Sequence, residues 1–133
     1  QFRPRQDQGE RLYRFWFNAG KVATRMAAVD REALTKNEAP MALSFNPPGM
    51  GRSPKPGPVL DDPVVQMTAM KKAYRNNDLI VRIFEPTGRK RAATLSLPFA
   101  GIRRKVELNG FEIKTLKISK GSRTVREVNL LER

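Results

Sequence analysis

The chain has 133 residues and a formal net charge of +13 at neutral pH, and it contains neither cysteine nor histidine. That length suits one ordinary domain, or a small domain joined to part of another. The missing residue types exclude a thiol nucleophile, a Ser-His-Asp triad, a zinc site built from histidine or cysteine, and any disulfide. No apolar stretch is long enough to span a bilayer, so no membrane partner is expected. The compartment stays open, with the cytoplasm slightly favoured.

The N-terminal half predicts one strand and one helix. Residues 12–17 are rich in aromatic side chains and apolar on both faces, which is typical of a strand covered on both sides within a sandwich. Apolar residues at helical spacing predict a short amphipathic helix over 21–34, which ends before Pro40. A short extended run at 41–45 follows. The stretch 46–63 is rich in proline and glycine, so we expect it to contain no regular element and to mark a domain boundary.

The C-terminal half predicts short strands separated by turns. The segments are 64–73, 79–84, 92–97, 103–108, 111–118 and 124–131. Asn109-Gly110 predicts a type I′ hairpin between the fourth and fifth of these, and a slip in the apolar phase of 111–118 indicates a bulge or burial on both faces. The fold class is therefore mainly all-β: a β-sandwich of short antiparallel strands with one short helix near the N-terminus.

The positive charge is concentrated in the C-terminal half. Residues 71–133 hold 16 Lys or Arg against 6 Asp or Glu. Two runs form a candidate polyanion-binding site that could attract RNA or an acidic glycan by counterion release, namely Arg89, Lys90, Arg91, Arg103, Arg104 and Lys105. The alternative is a cationic face that is solvated or meets an acidic surface.

Other chemical groups are sparse. Glu107 and Glu112 flank the predicted hairpin and could form a carboxylate pair of the glycosidase type, but pairing with nearby Lys105 or Lys114 is the simpler interpretation. Asp61-Asp62 is interpreted as a solvated turn. The aromatic segment 12–17 could stack on sugars, although a core strand is the favoured interpretation. No catalytic or metal-binding residue is assigned to this chain.

Several segments, in order along the chain, resemble the C-terminal region of glycoside hydrolase family 38, the α-mannosidases. They are QGE at 8–10, YRFWFNAG at 13–20, NEAPMALSF at 37–45, VVQMTAMKKA at 64–73, LIVRIFEPTG at 79–88, EIKTL at 112–116 and NLLE at 129–132. The resemblance implies a β-sandwich region and a parent enzyme with a zinc-type metal site and an aspartate nucleophile in an N-terminal catalytic domain. The metal ligands of that family include histidine, so no catalytic residue carries over to this chain.

On this basis we expect residues 1–60 to be the terminal part of a larger β-sandwich and residues 61–133 to be a small C-terminal one. Because the chain begins with Gln1 rather than Met, we expect a piece of a larger protein or a processed product. The expected partners are the N-terminal catalytic domain of the parent, a carbohydrate substrate reached through it, and a second copy of the chain. We expect no cofactor in this chain. The second hypothesis is a basic binding module for nucleic acid or an acidic glycan.

Overall fold

The structure is a computed structural model that describes residues 9–38, 41–42, 44 and 55–133. Residues 1–8, the predicted helix stop at Pro40, residues 43 and 45 of the extended run 41–45, and residues 46–54 of the proline-rich stretch lie outside the described residues. The elements are α1 (Val22–Asn37), β1 (Val59–Leu60), β2 (Gln66–Lys72), β3 (Leu79–Phe84), β4 (Arg91–Leu97), β5 (Ile102–Leu108), β6 (Ile113–Ile118) and β7 (Val125–Val128).

The seven strands form two antiparallel sheets. One has the order β1-β4-β5 and the other the order β2-β3-β6-β7. Alternate side chains of both sheets point into a common core, as expected for strands with period-two burial. The core consists of Val65, Val81, Ile83, Ala93, Leu95, Leu97, Ile102, Val106, Leu108, Leu116 and Ile118. The predicted β-sandwich is confirmed, with one short helix near the N-terminus.

The outer face of the four-stranded sheet is crossed by the C-terminal residues. Ile80 is completely buried but does not belong to the inter-sheet core. Its neighbours across the sheet are Lys71 and Lys117, whose aliphatic stems can cover an apolar side chain. Glu132 follows β7 at one sheet edge, yet its carboxylate accepts a 2.5 Å hydrogen bond from Lys71 of β2 at the other edge. The chain after β7 therefore runs back across this face.

The strand predictions for 64–131 are confirmed apart from shifts at their ends. The predicted bulge is absent from β6, where Thr115 and Leu116 are both buried, so the alternative of burial on two faces is correct. A register shift occurs instead in β2, between Met67 and Ala69. The proline-rich stretch also contains β1, which the sequence does not predict. A two-residue strand at a sheet edge needs few backbone N–H donors, so it can form although prolines lie on both sides of it.

The predicted Asn109-Gly110 hairpin is wrong. β5 pairs with β4 and β6 pairs with β3, so this turn connects the two sheets rather than two hydrogen-bonded neighbours. A type I′ turn would need positive φ at both central residues, whereas here it is Phe111 that has positive φ, at 59°. The physical reason is tertiary: Gly110 lies directly against the backbone of Gly88, and this contact determines the path of the turn.

The predicted strand at 12–17 is also wrong. No regular element is assigned to residues 10–21, and every side chain from 11 to 20 is exposed. An extended segment becomes a strand only when a neighbour supplies hydrogen bonds, and no described residue does so here. The helix that follows is confirmed as α1, which begins one residue later and ends three residues later than predicted, but none of its residues is buried.

Candidate functional site

A buried carboxylate joins two loops at one end of the sandwich. Glu85 follows β3 directly and has no exposed surface. Its side chain lies between the β3–β4 loop and the β5–β6 connection, and its own N–H donates to the carbonyl of Glu112 at 3.0 Å. An isolated buried carboxylate is costly, so its hydrogen-bond partners determine whether it can stay ionised.

The carboxylate of Glu85 is surrounded by donors. Backbone N–H groups donate to it from Thr87 at 3.0 Å, Gly88 at 2.7 Å, Arg89 at 3.2 Å and Phe111 at 3.2 Å, and the Thr87 hydroxyl donates as well. Burial alone would raise the pKa of Glu85, but these hydrogen bonds outweigh it and lower the pKa from 4.5 to about 2. Glu85 is therefore an ionised structural anchor and not a proton donor near neutral pH.

Local sequence explains this arrangement. Gly88 has φ 75°, a conformation that glycine adopts without a side-chain clash, and it turns successive N–H groups toward Glu85. A Cβ at Gly88 would lie 2.6 Å from the ring of Phe111, so the absence of a side chain there leaves room for that ring. Phe111 itself adopts positive φ, which is rare for a bulky residue and brings its N–H to the carboxylate.

Arg91 belongs to this structural cluster and not to an open polyanion site. Its Nε donates to Glu85 at 3.2 Å, and its Nη1 lies 3.6 Å from the carboxylate of Asp62. Asp62 in turn accepts N–H hydrogen bonds from Val64 at 2.7 Å and Val65 at 3.0 Å. Asp61 accepts the N–H of Thr94 at 2.6 Å. Asp61 is exposed, as the interpretation of a solvated turn requires, whereas Asp62 is half-buried, and both carboxylates accept backbone hydrogen bonds that fix the chain around β1.

The other five cations of the predicted polyanion site are exposed and belong to β5 and to the β3–β4 loop. Arg103 and Lys105 lie on the outward face of β5, the edge strand of the three-stranded sheet. Arg104 has the opposite parity and lines a cleft of about 170 Å³ between the sheets, together with Lys114 and Glu127. Arg89 and Lys90 lie on the β3–β4 loop.

The two glutamates that were considered as a glycosidase pair have separate partners. Glu107 lies 4.0 Å from Lys90, an exposed ion pair. Glu112 accepts the N–H of Asn109 at 2.7 Å and lies 3.7 Å from Lys114. Lys114 also donates to Glu127 at 3.1 Å, and this hydrogen bond raises the pKa of Lys114. The interpretation of these glutamates as ion-pair partners is supported, although Glu107 pairs with Lys90 and not with Lys105.

The aromatic segment 12–17 is an exposed apolar feature outside the core. Phe17 is 95% exposed and Phe15 and Leu12 are each 77% exposed. The segment is held near α1 by a hydrogen bond of 3.2 Å from Asn18 to Glu32, which also pairs with Arg25. Lys36 lies 5.9 Å from the centre of the Trp16 ring. These contacts leave an open groove of about 800 Å³ between the segment and the helix.

The described residues do not fit the metal site that the family resemblance implies. Across 9–38, 41–42, 44 and 55–133, no three His, Cys, Asp or Glu side chains come close enough together to hold a metal ion. No chemical step is therefore assigned to a metal in this chain.

No helix in the described part of the chain is long and apolar enough to cross a bilayer.

The sequence analysis did not predict the roles of Glu85 and Glu132, two carboxylates that accept hydrogen bonds from both backbone N–H groups and side chains. Glu85 is followed by Pro86, Thr87 and Gly88, a turn sequence whose free N–H groups need an acceptor, and this is the signal that could have identified it. Glu132 accepts the N–H of Tyr74 at 2.7 Å in addition to the Lys71 ammonium. The hydrogen bond from Lys71 lowers the pKa of Glu132. Lys71 and Tyr74 lie far from Glu132 in the sequence, so no local sequence pattern predicts this contact.

Comparison with known proteins agrees with the fold. The family model "Glycosyl hydrolases family 38 C-terminal beta sandwich domain" matches residues 64–133, which include β2 to β7. No curated protein and no solved structure matches the chain. The match covers more than half of the chain and coincides with the strands that build the sandwich. The chain therefore belongs to glycosyl hydrolase family 38, through the C-terminal β-sandwich domain of that family.

Proposed function

We propose that this chain is a non-catalytic accessory part of an α-mannosidase-like glycoside hydrolase, whose catalytic domain hydrolyses α-mannosidic bonds in glycans. Two facts support a non-catalytic role. The chain contains no histidine or cysteine, and the most perturbed carboxylate, Glu85, is a fully engaged structural anchor. Its membership of family 38 supports the identity of the reaction that the parent enzyme performs.

The observation that carries the proposal is the exposed aromatic segment 12–17. Four aromatic side chains between Tyr13 and Phe17 are each more than half exposed in the described part of the chain. A contiguous apolar surface of this kind is typical of a protein–protein contact. Aromatic side chains are also enriched in the energetic centres of interfaces. We assign this segment to the contact with the catalytic domain.

The groove beside α1 supports the same assignment. Met26 and Val29 of α1 are each 46% exposed and line the groove together with Trp16 and Phe17. A partner that inserts apolar side chains here would cover the helix and the extended segment at once. Segment 12–17 can also add as a strand to a sheet edge of that partner, the arrangement that the sequence of this segment favours.

The proposal is tested by co-expressing the chain with the catalytic domain of its parent enzyme and measuring co-purification. We expect the two parts to co-purify, and Phe15→Ser with Phe17→Ser to weaken the complex at least about tenfold. Tyr74→Ser is the matched control, because Tyr74 is an aromatic residue that is 89% exposed but lies in the sandwich. Equal retention of the wild-type chain and both variants would contradict the proposal.

Light scattering of the chain alone tests whether a second copy of the chain, and not the catalytic domain, covers the aromatic segment. If the aromatic segment packs against a second copy, the wild-type chain is a dimer and the Phe15→Ser, Phe17→Ser variant is a monomer. A wild-type monomer that binds the catalytic domain is the result we expect. A stable dimer that does not bind it would overturn the assignment and leave a homo-oligomer contact in its place.

The second candidate function is polyanion binding by the outward face of β5. Arg103 and Lys105 are exposed there, and no ion pair with either is present among the described residues. RNA or heparin binding with a steep salt dependence, lost in Arg103→Glu with Lys105→Glu, would favour this function over the first. Arg91→Glu is not informative in this test, because Arg91 holds Glu85 and Asp62.

A further inference from the structure

An apolar groove lies at the end of the sandwich opposite Glu85. It is formed where β3 begins, β4 ends, β5 begins and β6 ends, and its volume is about 590 Å³. Ile102 and Ile118 form part of its floor and are continuous with the inter-sheet core. Phe99, which is 44% exposed, and Met70, which is 50% exposed, line its opening. The floor of the groove is thus continuous with the core, although both isoleucines are themselves buried.

The charged residues of the groove are all positive. Lys55, Lys120 and Arg123 line it, and no Asp or Glu does so. Within the described ranges, none of the three cations makes an ion pair, whereas Lys71, Lys90, Arg91 and Lys114 elsewhere in the sandwich all have a carboxylate within 4.0 Å. An apolar cleft surrounded by unpaired cations is complementary to a ligand that is apolar at its centre and acidic around it.

The apolar lining and the three cations of the groove together favour a peptide over a small anion. They come from two separate parts of the chain, Lys55 before β1 and Lys120 with Arg123 in the β6–β7 turn. A small anion would leave the apolar lining of the groove uncovered, whereas an acidic peptide can cover that lining and also carry several carboxylates. Arg123 adopts φ 55°, an uncommon conformation for a residue with a side chain, which fixes the shape of this turn.

We propose that this groove binds an acidic peptide segment that inserts one apolar side chain between the sheets. The apolar side chain would contact Phe99 and Met70, and carboxylates on either side of it would pair with Lys120, Arg123 and Lys55. The proposal is independent of the assignment of the aromatic segment to the catalytic domain, because no residue of segment 12–17 or of α1 lines this groove.

The test uses the full chain and a fluorescent synthetic peptide in which glutamates flank a single phenylalanine. Fluorescence anisotropy should detect saturable binding, and Lys120→Glu with Arg123→Glu should raise the Kd at least about tenfold. The matched control is Arg103→Glu with Lys105→Glu, which changes the net charge equally on another surface, and the Kd should change less than about twofold. Replacing the phenylalanine of the peptide by serine should also abolish saturable binding.

Three results would overturn the proposal. The first is an equal loss of affinity in both charge-reversed variants, which would mean that the overall positive charge attracts the peptide. The second is binding that does not depend on the phenylalanine. The third is no binding of the peptide while poly-uridylate binds with the same dependence on Lys120 and Arg123, which would make the occupant a nucleic acid. Unchanged melting temperatures of both variants would establish that each is folded.

Discussion

The backbone N–H of Phe111 donates a hydrogen bond of 3.2 Å to the carboxylate of Glu85, and this contact ties the connection between the two sheets to the β3–β4 loop. Both sheets depend on the same anion, since β3 and β6 belong to one sheet and β4 and β5 to the other. Glu85 is therefore expected to contribute to the stability of the whole sandwich and not only to that of its own loop.

Replacing Glu85 by Gln should lower the free energy of unfolding by about 2–4 kcal/mol, because the amide leaves Arg91 without its buried counter-charge and turns an NH₂ group toward N–H donors. Urea unfolding followed by circular dichroism measures this. Glu107→Gln is the control, because Glu107 is exposed and pairs only with Lys90 at 4.0 Å. It should change stability by less than about 0.5 kcal/mol. Equal effects would contradict the anchoring role of Glu85.

The low pKa of Glu85 also predicts how stability depends on pH. Its pKa is about 2 in the folded chain against an ordinary 4.5, so its contribution is complete above pH 4.5 and is lost as the pH falls toward 2. Between pH 7 and pH 3 the wild-type chain should lose about 2 kcal/mol through this group alone. Protonation of other carboxylates also lowers stability over this range. The quantity to compare is therefore the difference in free energy of unfolding between the wild-type chain and Glu85→Gln at each pH. Parallel pH profiles of the two chains would be the contrary result.

The contact between Gly110 and Gly88 predicts a clash that depends on position. A Cβ at Gly110 would overlap the carbonyl of Gly88, a backbone atom that cannot move aside. Gly110→Ala should therefore cost about 1–3 kcal/mol in unfolding free energy. Gly121→Ala is the control, since a Cβ there meets nothing within 4 Å. Thermal unfolding of both variants checks the prediction, and a fully stable Gly110→Ala would refute the proposed close approach.

The parts of the fold that depend on local pattern could be predicted from the sequence. β3 was predicted to the residue, because its apolar alternation lies between a turn after Ala73 and the turn that starts at Glu85. The hairpin at Asn109 failed because a contact with Gly88, distant in sequence, overrides the turn preference of Asn-Gly. The strand at 12–17 failed for a different reason: its composition indicates a partner strand, and the described chain contains none.

The same division applies to the candidate sites. The exposed cations Arg103 and Lys105 follow from composition, since charged residues at an edge strand face solvent. The internal role of Arg91 could not be predicted, because a basic residue in a run of three is indistinguishable from its neighbours until Glu85 and Asp62 are placed beside it. The burial of Glu85 could not be predicted either, because it depends on hydrogen-bond donors from two loops that are separate in the sequence.

Glu132 provides a test of the path of the C-terminus. Glu132→Gln should accelerate hydrogen exchange of the Tyr74 amide by about tenfold, because that amide donates to the carboxylate at 2.7 Å and Lys71 holds the carboxylate in place. The amide of Val81, in the central strand β3, should exchange at an unchanged rate. Exchange at Tyr74 that is insensitive to the substitution would show that the C-terminal residues do not cross the sheet in solution.

An accessory role within an α-mannosidase-like enzyme predicts how the hydrolysis of 4-nitrophenyl α-mannoside depends on this chain. Three preparations are compared: the chain alone, the catalytic domain of the parent alone, and the two co-expressed. We expect no hydrolysis by the chain alone and the highest sustained activity when both parts are present. Hydrolysis by the chain alone, or a catalytic domain that is equally active and equally stable without it, would contradict the account.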